Sequence, residues 1–170
     1  MKTVSYKGTP VYRASDDPRG RKLYDTSRGI NAITNGVYFG LTVDAVKGYG
    51  KYLHAYRVDA PKVASVRGDA ELDEIKREAI RWGENKINEI EKDETVKMTR
   101  ELMRYMSQLQ SRSEVTRMFL EEQGFQGIEY LHSSTQDHHD QFILFRKENV
   151  KRIESLDESK ELLSFKDFIN

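Results

Sequence analysis

The apolar residues change their spacing near residue 70, and that change constrains the fold more than any other feature of the chain. Leu72, Ile75, Ala79, Ile80, Trp82, Ile87 and Ile90 recur at helical spacing. Val96, Leu102, Met103, Met106 and Leu109 continue the pattern in a second helix. Ser113 reads as the N-cap of a third, with Val115, Met118, Phe119 and Leu120 inward and Gly124 as its stop. Patterns of short strands stand on both sides of this block. Residues 10–15, 54–59, 125–131 and 141–145 carry branched and aromatic residues bounded by turn chemistry, and a last short strand lies near 148–153. Residues 2–8 are polar and read as a lead-in, and Ala60-Pro61 ends the strand before it. The expected fold class is therefore α+β: one domain over 1–170 with a helical insertion over 70–123. That insertion reads as helices packed on a sheet, or as a surface for a partner.

Composition narrows the function classes. The 28 basic and 28 acidic residues balance, so no global charge points to nucleic acid or a membrane surface. There is no cysteine, which removes disulfides and thiolate metal sites. No apolar run is long enough to span a bilayer and no signal-peptide core stands at the N-terminus, so a cytoplasmic protein is expected.

Residues 36–53 read as a strand running into a helix. Val37, Tyr38, Phe39 and Leu41 supply the strand, Thr42 a cap and Asp44 a first-turn charge. On such a helix Ala45 and Tyr49 share one face, so Tyr38 and Tyr49 could point into a common cleft and hold a flat, electron-poor ring. On spacing alone, two core tyrosines among the nine present are the better reading. Arg13 lies inside a strand pattern, where a buried guanidinium requires an anionic partner and an edge position would face it to water. Ser15 caps a turn or holds a carboxamide. His132, His138 and His139 share a polar loop with Asp137 and Asp140, but neighbours on an extended chain point oppositely, so a solvated loop is favoured over a metal site. Gln141 opens an apolar strand with an amide, which reads either as a strand terminus or as a group aimed at a cleft.

Taken in order, these pieces resemble the ADP-ribosyltransferase superfamily. Gly36-Val37-Tyr38-Phe39, with Tyr49 eleven residues after Tyr38, is similar to the Gly-Ile-Tyr-Phe…Tyr motif of the poly(ADP-ribose) polymerase and diphtheria-toxin branch. Tyr12-Arg13-Ala14-Ser15 stands where that branch has His-Gly-Ser, and its arginine resembles the cholera-toxin-like branch and some bacterial and phage toxins. Gly124-Phe125-Gln126-Gly127-Ile128, Gln141-Phe142-Ile143-Leu144-Phe145 and Asn149-Val150 resemble the closing segments. The likeness covers roughly 10–55 and 124–153.

The resemblance implies a split β-sheet core and a mono-ADP-ribosyltransferase that uses NAD as substrate, without a metal. It implies that Tyr38 and Tyr49 clamp nicotinamide, that Gly36 bonds its carboxamide through the backbone, and that Arg13, supported by Ser15, holds phosphate or ribose. It places Gln136, His138 and His139 in a target-recognition loop for a macromolecular acceptor, protein or nucleic acid. An antitoxin or target protein is a further implied partner, and a membrane is not.

One departure matters. The family's catalytic glutamate falls on Gln141, which keeps the hydrogen bond and loses the charge. Three readings stay open: an engineered silencing, a substitute carboxylate at Asp140 or Glu129, or a module that binds NAD or ADP-ribose without turning it over. Strand alternation turns Asp140 away from Gln141. An NAD glycohydrolase, and a nucleic-acid-binding protein using Arg19, Arg21, Lys22, Arg28, Lys47 and Lys51, are the other rivals.

Overall fold

Two strands much longer than expected organise the chain. The computed structural model describes residues 1–20, 33–46, 48–92, 112–131, 140–152 and 163–164. Strand β1 spans Lys2–Ser15, β2 Val37–Gly40, β3 Tyr52–Arg67, β4 Gly127–Leu131, β5 Gln141–Leu144, β6 Val150–Arg152 and β7 Leu163–Ser164. Between β3 and β4 stand α1, Gly68–Lys92, and α2, Arg112–Glu122. No described helix is long and apolar enough to cross a membrane.

β1 and β3 reach their length by absorbing irregular residues. The register between them shifts at Val4/Tyr6, which leaves Pro61 and Lys62 opposite Ser5. Proline lacks an N–H, and a bulge is where a strand tolerates that loss. A second shift, at Lys7/Thr9, is taken up by Gly8 at φ 63°, whose N–H donates to Asp59 Oδ1 at 2.8 Å. Residues 2–8 are thus strand and not a lead-in, and β3 runs through Pro61 instead of ending there.

The pairing overturns the expected α+β fold with a split ADP-ribosyltransferase-like core. β1 pairs with β2 on one side and β3 on the other, so the order β1-β2-β5-β4-β3 returns to β1 and closes a five-stranded barrel. β6 and β7 add to β3 outside the ring. Among the described residues sheet outweighs helix, with seven strands and two α-helices. Local periodicity identified strands; it could not show that β1 has two partners.

Alternation then sorts the side chains. Val11, Val37, Phe39, Tyr56, Val58, Phe142 and Leu144 fill the barrel. Its rings meet in a column at tilted and edge-on angles: Tyr6 and Phe142 centroids lie 4.5 Å apart, and Phe39 lies 5.5 Å from Tyr56. Ala64, Val66, Ile128, Tyr130 and Ile143 face outward and meet Leu72, Ile75 and Leu120 of the helices. Glu129 points inward, where it accepts from Tyr6 Oη at 2.6 Å and Ser65 Oγ at 2.5 Å.

Burial, and then bonds to carboxylates, raise both Tyr6 (beside Glu129) and Tyr130 (beside Asp69) well above the usual tyrosine value near 10. The unfolded phenols lose their protons near pH 10 while the native ones keep theirs. Stability is therefore undiminished by these groups below pH 10 and falls above it, by about 1.4 kcal/mol per pH unit for each phenol. Urea unfolding should show this slope, and Tyr6→Phe should remove one phenol's share. An identical slope in that variant would contradict it.

Candidate functional site

The barrel closes between β1 and β2 at one residue pair, Tyr12 with Gly40, and the candidate site forms beside that seam. Arg13 follows Tyr12 on β1. Gln141 stands directly opposite Gly40 on β5. Tyr38 lies two residues back along β2, on the face shared with Gly40 and Gln141, so its side chain is a diagonal neighbour of Gln141. Leu41 N–H donates to the Asp140 carbonyl at 3.3 Å and carries the pairing one step further.

A single 3₁₀ turn, Asp44–Val46, folds over the strand end. Thr42 caps it as expected, its Oγ1 accepting from Ala45 N–H at 3.3 Å. The expected helix reaching Tyr49 does not form: Gly48 adopts φ 88°, and the backbone of Gly50 lies against that of Ser15. Ala45 and Tyr49 therefore do not share a helix face. Both still line the same pocket.

That pocket has a volume of about 170 Å³, and Arg13, Tyr38, Tyr49 and Gln141 line it together with Gly40 and the 44–46 turn. Tyr38 is half-buried and Tyr49 is 57% exposed. Ser15 and Gly36 are not among the lining residues. Ser15 Oγ donates to the Asp17 carbonyl at 3.1 Å and shapes a turn. Gly36, at φ 152°, lies so close to β5 that a Cβ there would stand 2.6 Å from the Leu144 carbonyl oxygen. Gly36 thus serves the close packing of this segment on β5. Gln136, His138 and His139 lie outside the described residues.

Neither proposed substitute carboxylate lines the pocket. Glu129 is turned into the barrel, and Asp140 is not among the residues that line the pocket. Among the described lining residues the site offers one guanidinium, two phenol rings and one amide.

Gly40 is the feature that residue-by-residue reading missed, although it ends the very motif that drew attention. A Cβ there would stand 2.7 Å from Val46 Cγ1 and 2.8 Å from Ala45 Cβ. Only glycine lets the turn lie flat on the strand and form one wall of the pocket. Gly40→Ala should destabilise the fold by about 1–3 kcal/mol, as overpacking does. Thermal unfolding checks it, and an unchanged melting temperature would mean the turn shifts freely.

No family model matches the chain, and no curated protein does. Among solved structures, that of an anti-CRISPR protein overlaps it at 11% sequence identity and a TM-score of 0.39, covering 90% of this chain and 97% of the other. An overlap that weak carries no inference about function.

Proposed function

We propose that the chain is an NAD-dependent mono-ADP-ribosyltransferase whose nicotinamide site is the pocket beside the β1–β2 seam. The observation that supports this is convergence: Arg13, Tyr38, Tyr49 and Gln141, drawn from four separate stretches, line one pocket. With the split sheet gone, support comes from the site alone, since one fold hosts many chemistries. Sites that enclose a drug-sized ligand run to roughly 300–1,000 Å³. A pocket of about 170 Å³ takes one ring and leaves the rest of a dinucleotide along its open side.

Tyr38 and Tyr49 would offer aromatic faces to the pyridinium. Arg13 would bind phosphate or ribose with its planar fork. In the transfer, the bond between the nicotinamide nitrogen and ribose C1′ breaks and neutral nicotinamide leaves. An acceptor nucleophile, on a protein or a nucleic acid, bonds to C1′ and gives up its proton. Gln141 would hold a ribose hydroxyl without supplying charge. Cytoplasmic NAD would be the supply.

Gln141 itself favours a second reading, a module that binds NAD or ADP-ribose without turnover, because no carboxylate is among the described lining residues. Calorimetric titration with NAD tests what the two readings share. Tyr49 is 57% exposed, so Tyr49→Ala should fold normally. Loss of one stacking face should weaken binding about tenfold or more. No binding by the unaltered chain, or equal binding by both, would overturn the NAD site.

A further inference from the structure

We infer that the first turn of α2 positions the pocket tyrosine, Tyr38, through Thr34 and Asn35, so that the helical layer is a working part of the site. The inference takes its pocket from the reading above, but the linkage it describes is independent of the ligand.

The chain of contacts is continuous. Tyr38 Oη donates to the Thr34 carbonyl at 2.5 Å and accepts from Thr34 N–H at 3.4 Å. Thr34 is fully buried, and its Oγ1 donates to the Ser113 carbonyl at 3.1 Å. Next to it, Asn35 Nδ2 donates to Glu114 Oε2 at 2.5 Å, a charge-assisted bond. Ser113 and Glu114 both lie in the first turn of α2. Apolar packing follows the same route: Ile33 shares a buried cluster with Leu72, Ile75 and Leu120 of the helices, and Tyr38 packs against that cluster. On the other side Gly36 fixes the loop against β5. A loop held at both ends has little room to absorb a shift of α2, so the shift passes to the phenol.

A second observation separates positioning from plain stability. Asn35 Oδ1 is buried and meets no hydrogen-bond partner among the described residues. An unmet buried acceptor is destabilising. Alanine at that position would lose the Glu114 bond and the unmet acceptor together, so the two effects on stability oppose each other. What alanine would lose outright is the tie between the loop and the helix.

The test places 3-fluorotyrosine at Tyr38 alone and reads its fluorine resonance in the full chain. Asn35→Ala should move or broaden that resonance while the melting temperature stays within about 2 °C. Glu114→Ala should do the same to the resonance, and Glu114→Gln, which can still accept from Asn35, should restore it. NAD affinity should fall about three- to tenfold in the two alanine variants. A resonance unmoved by both alanine variants overturns the inference. So does one that moves only alongside unfolding and is not restored by Glu114→Gln. A resonance that moves as expected in a chain that binds no NAD supports the linkage and sinks only the NAD reading.

Discussion

On the proposed NAD reading, Gln141→Glu should release nicotinamide at least 100-fold faster than the unaltered chain. The side chain is half-buried at the start of β5, opposite Gly40, and lines the same pocket as Arg13 and both tyrosines. Glutamate keeps its shape and adds a negative charge where positive charge develops on the ribose as the glycosidic bond breaks. Preorganised electrostatic groups of this kind are worth about 10²–10³ in rate, larger than a hydrogen bond alone provides. Arg13, a lining cation, would hold the new carboxylate ionised. Nicotinamide release followed by chromatography checks it, with mass spectrometry of cell protein and nucleic acid naming the acceptor. Release with no modified acceptor means hydrolysis. Tight NAD binding with no release in either form would instead establish the non-catalytic module.

Phe142→Ala should cost about 3–5 kcal/mol, a large share of the roughly 5–15 kcal/mol that holds a domain together. Phe142 is completely buried, with its ring 4.5 Å from Tyr6 and 6.3 Å from Phe39. It stands midway along the ring column that fills the barrel, and strands on all sides limit how far the space can collapse. Urea unfolding should show the midpoint falling with little change in slope. A loss below about 1 kcal/mol would mean the barrel is not closed around a packed interior. Because Phe142 adjoins Gln141, the same variant should also weaken the pocket.

Much of the local structure was legible because it is fixed by neighbours in sequence. Gly124 does end α2, at φ 81°, with Phe125 N–H donating to the Leu120 carbonyl at 3.0 Å. Thr42 caps its turn, and the apolar run after Gln141 is a strand. Ser113, expected as an N-cap, sits instead inside a helix that begins at Arg112. The larger misreadings share one cause. Pro61 looked like a terminator because its neighbours in sequence do not reveal the bulge opposite Ser5 that accommodates it. Tyr49 looked helical because spacing alone does not register how Gly48 and Gly50 redirect the backbone. Pairing between residues far apart decided both the barrel and the pocket. The tie from Tyr38 to α2 was invisible for the same reason, since Asn35 and Glu114 lie 79 residues apart.

β1 shares twelve paired residues with β3 but only one with β2. The hoop is therefore riveted along one side and buttoned on the other. Undoing that button gives up roughly one rung of the ladder, a small fraction of what global unfolding requires. The gap would open between Arg13 and Gly40, so an elongated guest could enter sideways while the aromatic filling of the barrel stays in place.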